Sequence, residues 1–163
     1  MSENEPFKLW NDSALPNETT SIAIEQYKIY VEMADRISAR RSLANTFFLT
    51  INTAALALLG SGWQHLPVHI GWRASLPLVA LLTQCIAWYS SIRSYQQLST
   101  AKYKVIGAFE ERLPASPFMK AEWKILGEGK SPKLYFPLTQ VERTVPIIFA
   151  ATYIGGFALL LTR

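Results

Sequence analysis

Residues 40 to 59 read RRSLANTFFLTINTAALALL. Two arginines stand at the front edge, and from Leu43 to Leu59 there is no charge, proline or glycine. As a helix, Leu43 to Leu59 is ~25 Å long, against a hydrocarbon core of ~30 Å. Two further apolar stretches follow, Trp72 to Ile92 and Thr144 to Thr162. Together they predict three membrane spans, over 42–60, 72–92 and 143–162, in a single membrane domain over 1–163. The expected fold class is all-α and integral to the membrane.

Composition agrees. The chain has 163 residues, 50% hydrophobic and 17% charged, where average soluble domains carry roughly 25% charged residues. The net charge of +4 is not a nucleic-acid signal, because the basic residues are strung along the chain among acids and form no dense patch. Cys85 is alone and lies inside the second span, so no intrachain disulfide is expected. The start, MSENEPFKLWNDS, lacks the basic and apolar regions of a signal peptide. The first span is therefore expected to stay in the membrane as an anchor.

Pro6, Pro16 and several helix-poor residues predict irregular structure over residues 1–20, with Phe7, Leu9 and Trp10 expected to pack against something. Thr20 or Ser21 can cap a helix. Over 21–41, Tyr27, Tyr30, Ala34 and Ile37 recur at a heptad-like spacing. Glu32 and Arg36, on the other face, stand in the favourable i,i+4 order. No proline or glycine separates this stretch from the first span, so one continuous helix is predicted. Gly60 to Gly71 is a turn region. Residues 93–113 repeat the plan, with a seam at Leu98, Ala101, Val105 and Ala108. The first two helices thus continue beyond the membrane as long stalks, paired in an antiparallel hairpin along their seams. A linker over 114–142 follows. Ser116 as cap and Pro117 as first residue predict a short helix to Leu126, ended by Gly127. Thr139 and Glu142 have capping-box spacing before the third span, and Pro146 predicts a kink there.

Arg36, Arg40, Arg41, Arg93, Lys102, Lys104 and Arg143 fall on one side of a three-span arrangement. By the positive-inside rule that side, with the N-terminus and both stalks, is cytoplasmic, and the C-terminus faces out. Trp63, Trp72, Trp88 and Tyr89 fit the aromatic belts at the interfaces.

Within the first span, Asn45 and Asn52 share a face, with Thr46 and Thr53 alongside. An amide facing lipid would be unsatisfied. This polar stripe therefore bonds to another helix, with Thr83 or Gln84 as candidate partners, or it lines a pore. Ala151 and Gly155 form a small-xxx-small pair suited to close helix packing. Residues 127–131, GEGKS, lack the earlier glycine and the following helix of a phosphate-binding loop. His65 and His69 have Pro67 between them and no further ligand nearby. Glu110 and Glu111 read as solvated stalk surface. No cofactor, metal or catalytic group is expected.

YKIYVEMADRISARRSLANTFFLTIN, beginning at Tyr27, and YSSIRSYQQLSTAKYKVIGAFEERLP, beginning at Tyr89, resemble the small bacterial RipA-like octameric integral membrane proteins. The likeness is carried by Tyr27, Tyr30, Asp35, Arg36, Ser38, Arg40, Arg41, Asn45, Phe47 and Phe48. More loosely, the layout is similar to SLATT-type effectors, although a third span departs from their simplest plan. The resemblance implies a bacterial inner membrane and a ring-like homo-oligomer, an octamer. The functional expectation is a non-enzymatic assembly acting as a pore or a membrane scaffold. The alternative is an accessory subunit that docks a cytoplasmic or membrane partner. The partners expected are the chain itself and the lipid bilayer.

Overall fold

The computed structural model describes residues 9, 19–62, 75–130 and 133–162. Phe7, Trp10, Trp63, His65, Pro67, His69, Trp72 and Ser131, each weighed above, lie outside the described residues. Helix α1 is Thr19–Gly62 and α2 is Ser75–Glu110. A π-helical segment, Pro117–Glu122, leads into α3, Trp123–Ile125, and a 3-10 turn, Gly127–Gly129. Helix α4 is Leu138–Leu161. The fold is all-helical, with no strand among the described residues. Helices α1, α2 and α4 are long and apolar enough to cross a membrane. Helix α1 runs unbroken from the amphipathic stretch into the apolar one, because nothing in it stops a helix.

The chain divides into two compact units, Met1–Ile37 with Leu98–Phe136, and Ser38–Gln97 with Pro137–Arg163. In the first, Tyr27 meets Glu110 and Phe109, and Tyr30 meets Phe109. Further along α1, Met33 meets Lys102. Partner numbers fall as α1 numbers rise, so the segments are antiparallel. Ala34 is buried between them. Leu98 and Ala101 are exposed, while Ile106, Phe109 and Glu110 are buried. The buried side of α2 therefore differs from the apolar seam read from the sequence. Tyr30 stacks its ring under the Lys102 ammonium, 4.2 Å from the ring centroid, a cation–π contact.

In the second unit, Arg41 meets Glu142, and Asn52 meets Tyr153. The second contact lies eleven residues beyond the first on each helix, three turns, so α1 and α4 run parallel. Helix α2 runs against both, since Asn45 meets Trp88 and Asn52 meets Cys85.

Several local details differ from expectation. Helix α1 has already begun at Thr19, so neither Thr20 nor Ser21 starts it. The segment after Ser116 is π-helical, and Ser116 makes no cap bond. Leu126 is the C-cap of α3, and Gly127, Glu128 and Gly129 follow with positive φ, the left-handed turn that stops it. Helix α4 starts one residue before Thr139, so the capping box does not form. Thr139 instead accepts a hydrogen bond from Arg41 at 3.4 Å. Helix α4 continues through Pro146, which is buried.

Gly107 has a packing reason. A Cβ there would lie 2.6 Å from Met119 Cγ. Gly107→Leu is therefore expected to cost about 1–3 kcal/mol by overpacking. Lys28→Ala, on an exposed pair with Glu25, should stay within about 0.5 kcal/mol. Denaturant titration of the purified protein in detergent checks both.

Candidate functional site

The most constrained site lies among the three apolar helices. Asn52 is fully buried. Its Nδ2 donates to Phe48 O at 2.8 Å, tying the side chain to the preceding turn of α1. Its Oδ1 accepts from Tyr153 of α4 at 3.0 Å and from the Cys85 thiol of α2 at 3.7 Å. The Tyr153 hydroxyl also lies 3.1 Å from Asn52 O. One side chain of α1 thus holds both other helices. Two turns earlier, Asn45 Oδ1 accepts from Trp88 Nε1 at 2.7 Å. Trp88 is 1% exposed. It stacks on Phe48, with centroids 5.9 Å apart and planes 10° apart, and meets Phe149 at 5.9 Å.

Trp88 is therefore not a residue of the aromatic belt. Its ring is packed among the helices because Asn45 satisfies the indole N–H there. Within the subunit the two asparagines take partners other than Thr83 and Gln84. Thr83 donates back to Val79 O at 2.8 Å. Cys85 and Tyr153 are the functional positions that sequence reasoning missed. An apolar-looking Cys and an aromatic carry no polar signal by themselves. An isolated buried Asn does signal that such partners exist.

The remaining expected positions lie on open faces of the single chain. Thr53 is exposed, as are Thr50 one turn and Thr46 two turns before it. Ala151 and Gly155 are also exposed, and a Cβ on Gly155 would meet nothing within 4 Å. At one end of this unit, Arg41 Nε stands 3.7 Å from Glu142 Oε2.

A second polar node sits in the first unit. Glu110 is 2% exposed, which corrects its reading as solvated surface, whereas Glu111 is exposed. The chain reverses after α2 and brings donors onto this carboxylate. Phe118 N and Met119 N donate at 3.0 Å each, Ser116 Oγ at 2.8 Å and Tyr27 Oη at 3.1 Å. Glu110 thereby caps the free N–H groups of the π-helical segment, the work expected of Ser116. Burial pushes its carboxyl up. The bonds from Met119, Phe118, Ser116 and Tyr27 pull it down further, so it lies below the ordinary carboxylate range. Tyr27 is pushed up to about 12, by burial first and then by the bond to Glu110 and its charge.

These features define a class: an all-helical membrane protein whose spanning helices are held together by buried amide, indole and phenol bonds. A family model matches residues 24–162, and the chain belongs to the octameric membrane protein family, 8xMP. It is a membrane protein of an oligomer-forming family, in line with the resemblance read from the stalk and first-span residues. Neither a curated protein nor a solved structure matches it.

Tyr153→Phe removes one interhelical donor and is expected to cost about 0.6 kcal/mol. Asn52→Leu should cost more, since it strands both Tyr153 and Cys85. Unfolding from mixed micelles with added dodecyl sulfate measures both. Glu110 has a lower pKa folded than unfolded, so its stabilising contribution is complete above the unfolded carboxylate value, about 4.3. It is lost as pH falls through the folded value. Glu110→Gln should therefore destabilise the protein at pH 7, by about 1–3 kcal/mol. The gap to wild type should shrink in acid, read as melting temperature against pH.

Proposed function

We propose that the chain acts as a non-enzymatic homo-octameric ring in a bacterial inner membrane. In this reading the Thr46, Thr50 and Thr53 face of α1 turns toward the interior of the assembly. One contrast carries it. The two asparagines of the first span are hydrogen-bonded inside the subunit, yet these three threonines are exposed and make no side-chain hydrogen bond among the described residues. Thr83 and Thr152, by comparison, bond back to carbonyls of their own helices. Membrane helices associate through small and hydroxyl-bearing faces, and a hydroxyl facing lipid gains nothing. The exposed Ala151 and Gly155 of α4 supply a second close-packing face between subunits. The division of labour then differs from a lining of asparagines: Asn45 and Asn52 build the subunit, and the threonines meet the neighbour or water. Lys and Arg asymmetry supports a cytoplasmic N-terminus and an outward C-terminus.

Cysteine at position 50, in a Cys85→Ser background, tests the reading. Mild oxidation should link subunits, whereas the same change at Ile86, exposed on α2, should not. Labelling of position 50 by a water-soluble thiol reagent would mark a wet lumen and a pore. Protection with an intact oligomer would mark a dry scaffold. A lipid-exposed nitroxide at position 50 would refute the interior placement. Reporter fusions after Arg163 should give a periplasmic signal, and a cytoplasmic one would refute three spans.

A further inference from the structure

One end of the three-helix unit is rich in arginine. Arg40, Arg41, Arg93 and Arg143 belong to this unit, and Glu142 is the sole Asp or Glu in its sequence. Glu142 is committed to Arg41 at 3.7 Å. Arg143 is the next residue of α4. Its guanidinium carbon lies 6.0 Å from the centre of the Tyr89 ring on α2. Arg93 is one turn beyond Tyr89 on the same helix face, and it is exposed. The Arg143 Nε is buried and has no hydrogen-bond partner. Among the described residues Arg143 and Arg93 have no ion pair. A buried guanidinium N–H without an acceptor is costly, so this group is poised for an anion arriving from outside the chain.

The position decides which anion. Arg143 stands in the second turn of the apolar helix α4, and Arg93 stands just past the apolar run of α2 ending at Ile92. Both therefore lie where hydrocarbon gives way to headgroups. Tyr89 is the kind of aromatic side chain that occupies this level. Guanidinium groups match phosphate oxygens in bidentate geometry. Basic pockets between spanning helices on the cytoplasmic side suit phosphate headgroups.

We propose that Arg143, over the Tyr89 ring, and Arg93, one turn further along α2, form a binding site for the phosphate of an anionic phospholipid. The site lies between α2 and α4, and Arg143 Nε is the buried donor. It needs the protein to be in a membrane but does not depend on the ring or on which face lines it. Arg41 Nε and Glu142 Oε2 are likewise buried without a hydrogen bond, but they face each other at 3.7 Å, so Arg41 already has a counter-ion and is left out of the site.

The test uses the full-length protein purified in a neutral detergent. Its melting temperature is followed while dioleoyl phosphatidylglycerol, dioleoyl phosphatidylcholine or glycerol 1-phosphate is added. Phosphatidylglycerol should stabilise the wild type in a saturable way, and the zwitterionic lipid should do so far less. Arg93→Gln, on an exposed residue whose loss leaves the fold intact, should weaken the apparent affinity roughly fivefold. Arg143→Gln should weaken it at least as much. Arg143→Lys keeps the charge but loses the fork, and should fall between wild type and Arg143→Gln. An equal response to both lipids, or one unchanged in Arg93→Gln and Arg143→Lys, would overturn the site. A shift of the same size with glycerol 1-phosphate alone would overturn the lipid assignment and leave a soluble phosphate as the ligand.

Discussion

Asn52 cannot face hydrocarbon, and much of the membrane-embedded structure depends on that. A bilayer offers no hydrogen bonds, so each polar group on a spanning helix needs a partner within protein or in a water-filled space. The Asn52 side chain is bonded to its own helix through Nδ2 and to both other helices through Oδ1. Once it is placed, the register of α1 against α4 is fixed, and Arg41 falls beside Glu142 three turns away. Asn45 then meets Trp88, and the Trp88 ring fills the space between Phe48 and Phe149. Individual bonds of this sort are modest in membranes. Their larger effect is to select one register among apolar helices that would otherwise slide with little penalty.

The same logic operates at Glu110 in the first unit. A chain reversal leaves free backbone N–H groups at the start of the next helical segment. Here a carboxylate from the preceding helix accepts two of them and two hydroxyls besides. Burying a carboxylate is unfavourable unless it is bonded in this way. The full set of donors explains how Glu110 remains charged while nearly inaccessible. Gly107 contributes by making room for Met119, whose backbone N–H is one of those donors.

With Asn52, Trp88 and Glu110 hydrogen-bonded inside the subunit, the outer faces are freed for other work. The family is octameric, so parts of the surface exposed in one chain are covered in the assembly. The threonine face of α1 and the small residues of α4 fit subunit contact, where close approach gains dispersion and hydroxyl bonding. Arg93 and Arg143 have a different chemistry and, as proposed, suit a lipid phosphate. In that reading oligomer contact and lipid contact fall on separate surfaces because the residue types differ.

The sequence alone carried the fold class and the positions of the long helices. Apolar length against bilayer thickness is a one-dimensional property, and so is the lack of helix breakers between Ile22 and Leu59. It also announced that Asn45 and Asn52 required partners, because the penalty for an unpartnered amide does not depend on topology. Which partners they took was decided only in three dimensions. Cys85, Trp88 and Tyr153 have no polar periodicity, and they reach the asparagines only through the packing of α2 and α4 on α1. The fate of Glu110 was equally hidden. On a helix surface it is indistinguishable from Glu111, which is exposed. What separates them is the return of residues 116–119 onto one carboxylate and not the other, a tertiary event that no local pattern records.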